Sequence, residues 1–255
     1  MIIKYLPTRA GLSIPALITL VLTILVLAPA PAAADEPTDE TDIWAIARGG
    51  QFYDDWAKVL EVDLPEETHP AYPAAGKQKG GTTWRCKECH GWDYKGAAGA
   101  YGKGSHFTGI KGLRDMVGTD PAAIQKIITD DTHRYTEEQM PQNAIEKLAL
   151  FVSLGQIDVD LYVDRMSNEA RGDAPRGARI YQTICAVCHG FDGKAMNFHS
   201  EEEPEYVGTI AQENPWEFIH KARFGQPGVA MVGLVALPIQ DVVDILAYAQ
   251  TLPEK

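Results

Sequence analysis

Cysteine is scarce in this 255-residue chain: there are four, Cys86, Cys89, Cys185 and Cys188. Positive charge is in short supply too, with 23 Lys and Arg against 35 Asp and Glu and a net charge of −12. Such a field repels nucleic acid and anionic lipid headgroups, so the expected partners are neutral or locally basic. Past the N-terminus no apolar run reaches the roughly 18 residues that a membrane helix needs. The opening segment is the exception. Lys4 and Arg9 precede a long apolar stretch that closes on Ala32, Ala33 and Ala34, the layout of an export signal. Residues 1–34 are therefore expected to be a signal peptide that sends the chain to a bacterial periplasm. An uncleaved segment is the alternative, and the only route by which the chain itself would sit in a membrane.

What is present is a repeat. The cysteines stand in WRCKECHGWD and TICAVCHGFDG, two copies of C-x-x-C-H ending in His90 and His189. An even cysteine count in an exported chain ordinarily suggests disulfides, and C-x-x-C alone is shared by zinc and redox sites. With the adjoining histidine the pattern is that of c-type haem attachment. Two thiols three residues apart add to the two vinyl groups of one haem, and the histidine binds its iron. Two covalently bound haem c groups are expected, held by Cys86, Cys89 and His90 and by Cys185, Cys188 and His189.

The flanks repeat as well. Gly177 and Tyr181 stand eight and four residues before Cys185 in RGARIYQTIC, and IQDVVDILAYAQTL carries a helical apolar stripe ending at Tyr248. Gly49 and Tyr53 hold the same mutual spacing, but Tyr53 precedes Cys86 by 33 residues, so about 29 have been added. This insert is rich in Pro and Gly and reads as an extended loop with little regular structure. NAIEKLALFVSLG is the matching closing helix, with Phe151 in the place of Tyr248.

These residues resemble those of class I cytochromes c, small all-helical domains in which the first and last helices cross beside the haem. The resemblance implies an all-α chain of two tandem class I cytochrome c-like domains. They are placed at 35–163, with a loop insertion at about 57–83, and at 164–255, with a polar boundary near Asp164. It also implies that Tyr248 lies near Gly177 where the helices cross, and that Met231, in a Gly/Pro loop 17 residues before Tyr248, is the second axial ligand there. In the first domain Met140-Pro141 is the tempting ligand. Yet Met140 precedes Phe151 by 11 residues, as Leu237 precedes Tyr248, so it aligns with an apolar packing residue. The counterpart of Met231 falls at Arg134, beside His133. His133 is the better-placed ligand, Met140 its alternative, and His69, His106 or an open iron remain. His199 and His220 are expected at the surface or capping a helix. Trp84, Trp92, Tyr94 and Tyr101 are expected either to shield a porphyrin or simply to pack.

The function expected is periplasmic electron transfer through two haems, as a carrier or as a subunit serving a membrane or periplasmic oxidoreductase, with redox proteins as donor and acceptor. The insert is read as a partner-docking element whose deletion spares both haems. If His133 is the ligand, the first haem has the lower potential, and electrons enter there and leave at the second. The alternative is a dihaem enzyme, a peroxidase or an oxidase of small sulfur compounds, with one open iron. The sulfur-oxidising version needs a cysteine ligand, and all four are used.

Overall fold

The computed structural model describes residues 40–255, so the export segment expected at 1–34 lies outside the described residues. The described chain is helical. Helix α1 spans Glu40–Leu60 and α2 Cys86–His90, followed by α3 (Pro121–Ile128) and α4 (Gln142–Leu150). Then come α5 (Ala174–Ile180), α6 (Ala186–His189), α7 (Val207–Glu213), α8 (Pro215–Phe224) and α9 (Ile239–Ala249). Among the described residues β-pairing is limited to two isolated bridges, Gly96 with Lys111 and Val163 with Ala170.

Local chemistry sets several of these boundaries. Asp120, Asp173 and Asn214 each cap the helix that follows by accepting a backbone N–H, and each is succeeded by a proline in the first turn, where its missing N–H costs nothing. Helix α1 breaks at Asp55 (φ −154°, ψ 87°), whose carboxylate accepts from the Lys58 N–H at 3.2 Å. That is N-cap geometry, so α1 is two helices joined at an internal cap.

Two apolar cores organise the chain. The first gathers Tyr53, Trp56, Trp84, Tyr135, Met140, Leu148 and Phe151 around α1 and α4. The second gathers Tyr181, Ile219, Val242, Ile245 and Leu246 around α5 and α9. Each core is built on a helix crossing made possible by one glycine. A Cβ on Gly49 would lie 2.1 Å from the Lys147 carbonyl oxygen, and one on Gly177 would lie 1.8 Å from that of Asp244. Neither can carry a side chain without parting its helices. One turn on, the aromatic pairs meet: Tyr53 and Phe151 have ring centres 5.4 Å apart, Tyr181 and Tyr248 5.3 Å. The wide π-helical turn that accompanies each crossing sits on opposite partners, over Phe151–Gly155 in the closing helix of the first and over Tyr181–Cys185 in the opening helix of the second.

The expected insert behaves differently from a free loop. Helix α1 carries on to Leu60, the stretch to Lys79 is irregular, and a 3₁₀ turn over Gly80–Trp84 leads into α2. His69 and Tyr72 from this stretch are buried. The Trp84 indole N–H donates to the Glu67 carbonyl at 2.8 Å, and the Thr68 hydroxyl accepts from the Gly80 N–H at 2.9 Å. Proline and glycine prevent regular structure without preventing packing.

The polar stretch near Asp164 is packed as well. Val159 and Val163 belong to the second core, and Arg165 pairs with the fully buried Asp93 at 2.7 Å and with Asp160 at 2.6 Å. Lys95 also binds Asp160.

Candidate functional site

Helix α2 puts Cys86 and Cys89 one turn apart on one face, with His90 next to them. Gly91 (φ +77°) ends the helix in a conformation suited to glycine, and its carbonyl accepts the Tyr53 hydroxyl at 2.6 Å. The second motif is built alike: Gly190 (φ +80°) follows His189, and its carbonyl accepts the Tyr181 hydroxyl at 3.2 Å. The two tyrosines picked out by their spacing therefore tie each crossing to its cysteine pair.

Burial pushes the Cys86 and Cys89 thiols up to about 12 and Cys185 up to about 11. Among the described residues no group of three His, Cys, Asp or Glu gathers that could hold a metal ion.

The histidines of the first site are organised. His90 Nδ1–H donates to the Lys111 carbonyl at 2.8 Å, which leaves Nε2 as its free nitrogen. Burial lowers its pKa to about 4, so the ring is neutral and its lone pair available. His133 turns Nδ1 to Asp130 at 3.1 Å, and its ring centre lies 6.3 Å from that of His90 with the planes 26° apart. Two metal–imidazole bonds of about 2 Å, plus the half-width of each ring, add to about 6 Å. The pair is thus spaced as two imidazoles sharing one metal are, and the residues present fit a haem iron between them.

The other first-half candidates are engaged elsewhere. Both ring nitrogens of His69 are taken, Nε2 by the His133 carbonyl at 2.8 Å and Nδ1 by the Ala71 N–H at 3.1 Å. His106 stacks on Tyr101 at 4.7 Å and bonds Glu88 at 2.9 Å. Burial works against ionisation of Glu88, but His106 and Lys87 hold it down at about 2. Met140 is wholly enclosed in the first core, just ahead of α4, and its counterpart by count, Leu237, packs on the second core ahead of α9. Trp84, Trp92, Tyr94 and Tyr101 are all buried.

The second site is looser. His189 Nδ1 is buried without a partner, although burial again keeps the ring neutral. Met231 is half-buried on the irregular chain between α8 and α9 and belongs to neither core. That segment is pinned at its far end, where the Leu234 N–H reaches the Ala222 carbonyl at 2.9 Å and Arg223 donates to the Leu234 carbonyl at 3.2 Å. Val187, Phe191, Met196, Phe198, Val229 and Val232 are exposed around the motif and this segment. This apolar rim fits a large apolar prosthetic group, and the orphaned His189 Nδ1 is the counterpart of the nitrogen that anchors His90 on Lys111.

One expectation is overturned. His220 is fully buried, not at the surface. Its Nδ1 meets the Tyr94 hydroxyl at 2.8 Å and its Nε2 the Gly50 carbonyl at 2.9 Å, so both are bonded to groups before residue 164. Phe224, one turn on, packs into the first core, and Lys221 pairs with the buried Asp54 at 2.7 Å. The signal was in α8: Trp216, His220 and Phe224 recur every four residues, an aromatic stripe that a helix presents to a neighbour. His199 is exposed as expected.

Residues 172–248 match the family described as cytochrome c oxidase, cbb3-type, subunit III. Over 144 residues, 54% of this chain, it is 29% identical to the cbb3-type cytochrome c oxidase subunit FixP of Azorhizobium caulinodans. The match spans about half of that relative, 47% of its length. With the two C-x-x-C-H motifs, these likenesses support a c-type cytochrome. The helical fold of the described residues agrees with such a protein, and covalently bound haem c is the cofactor that the class implies. Among the described residues no helix is long and apolar enough to cross a membrane.

Proposed function

We propose that this cytochrome is an exported, dihaem electron-transfer subunit that serves a membrane oxidoreductase of the cbb3 oxidase kind. In this reading residues 35–163 and 164–255 each form one haem domain. Cys86, Cys89, His90 and His133 would hold the first haem, and Cys185, Cys188, His189 and Met231 the second. Each haem supplies a one-electron iron couple. The protein's part is to saturate the iron and to keep water and competing ligands away. Tyr53, Trp84, Tyr94 and Tyr135, all buried, close off the first site. The export pattern at residues 1–34 supports a periplasmic location, and the FixP likeness supports a membrane enzyme as partner.

The observation that carries the reading is the 6.3 Å spacing of His90 and His133. Two histidines so spaced would together hold one metal, which favours a carrier over a dihaem peroxidase. The test is low-temperature EPR of the oxidised protein with the near-infrared absorption that reports methionine ligation. One bis-histidine and one histidine–methionine low-spin species are expected. A high-spin species would reveal an open iron and overturn the reading in favour of the enzyme.

A further inference from the structure

We infer that His69, carried by the insert, is a positioning residue that holds His133 in place by gripping its backbone carbonyl. The inference rests on His133 as an axial ligand and deepens that reading.

The segment that presents His133 is short and tight and is tied largely to itself, with the Arg134 N–H donating to the Asp130 carbonyl at 2.8 Å and the Arg134 Nε–H to the Asp131 carbonyl at 2.7 Å. Asp130 Oδ1 accepts from the N–H groups of Thr132 and His133 at 2.9 Å and faces His133 Nδ1, so one side of the turn is fixed from within. The other side runs into Arg134, a non-glycine residue at φ +58°, in the left-handed region that side chains disfavour. The turn holds the N–H of the peptide at this strained exit, and the carbonyl of that peptide is left to a donor from outside the turn. The peptide between His133 and Arg134 is the one His69 grips, its Nε2–H donating to the His133 carbonyl at 2.8 Å.

His69 is itself immobilised. Its N–H donates to the Thr83 hydroxyl at 2.8 Å, its Nδ1 accepts from Ala71, and its ring packs edge-on against Trp84 at 4.3 Å. Tyr135, two residues past His133, donates to the carbonyl of the same Trp84. The insert thereby links the residues just before Cys86 to the segment that carries the opposite ligand, so that both sides of the first site hang on one scaffold. The second half has no such insert, and Met231 has no such grip.

The test uses the haem-loaded full-length protein and reads two signals of the first haem: the bis-histidine EPR species and the fraction that binds carbon monoxide when reduced. Loss of one buried hydrogen bond shifts a local opening equilibrium by about tenfold. His69→Leu should raise the carbon monoxide-reactive fraction by about that factor and broaden the bis-histidine signal, leaving the near-infrared band of the second haem unchanged. Two polar variants guard against misfolding. His69→Gln places an amide N–H where Nε2–H stood and should restore the parental behaviour; His69→Asn is too short to reach the His133 carbonyl and should not. If Gln and Asn behave alike, or if Leu leaves both signals unmoved, the inference is wrong. His133→Ala separates it from the reading beneath. Should that variant leave the first haem's spectrum unchanged, His133 is no ligand and both fall. Should it open the iron while the His69 variants do not, the inference alone falls.

Discussion

The two cysteine-pair sites share a ground plan and differ in how finished they are. In both, one glycine lets two helices touch and a tyrosine from the opening helix bonds the carbonyl after the histidine. The first site has its histidine anchored on Lys111, a second imidazole facing it and a wall of buried aromatics. The second has an orphaned histidine nitrogen, a methionine outside either core and exposed valines and phenylalanines around it. Preorganisation by protein contacts is thus concentrated where the chain is longest. At the second site more of the packing is left for the cofactor to complete.

The comparison breaks most severely at the glycines. Gly177→Val would drive a side chain into the Asp244 carbonyl, and Gly49→Val into that of Lys147, each costing about 3 kcal/mol or more. Each is expected to lose the haem of its own half first, read from haem stoichiometry and chemical unfolding. Next in size is the ligand. His133→Ala should convert the first haem to a high-spin species that binds carbon monoxide and leave the second unaltered, seen by EPR.

The seam between the halves should respond to acid. Burial lowers the pKa of His220 to about 4, so the folded state disfavours its protonation while the unfolded chain takes up a proton near the ordinary histidine value of about 6.5. The stability linked to neutral His220 is complete above that unfolded value and falls by a few kcal/mol as the pH drops from about 6.5 to about 4. His220→Gln removes that part of the slope, measurable by urea unfolding across the range. A redox titration sharpens the contrast last and most gently. The first haem, with two imidazoles, should titrate below the second, within the roughly 0.8 V that axial ligands span. Equal potentials would argue that the two irons are ligated alike.

Much of this was legible in the sequence. The C-x-x-C-H spacing carries its chemistry locally, and Gly49 with Tyr53 and Gly177 with Tyr181 mark the crossings, because a helix fixes which residues share a face. Counting back from Phe151 pointed to the neighbourhood of His133, whose ring centre lies 6.3 Å from that of His90. The insert was read as a docking loop whose removal spares both haems. Its Pro and Gly announced irregular backbone, but nothing local announces that His69 reaches His133, 64 residues away. The structure turns that expectation around: deleting this stretch would strip the anchors of the first site. The aromatic stripe of α8 marked the face that carries His220, but not its partners Gly50 and Tyr94, which lie 170 and 126 residues off in the chain.

Sequence by itself determined the class of cofactor, the helical architecture and the crossing points, all of which depend on spacings within a turn or two of helix. Only the tertiary structure decided which histidines are free and which are spent, because that depends on where distant carbonyls fall. His69 and His220 have both ring nitrogens committed to Tyr94 and backbone groups and His106 is stacked on Tyr101 with its Nδ1 on Glu88, while the His90 and His133 rings lie 6.3 Å apart.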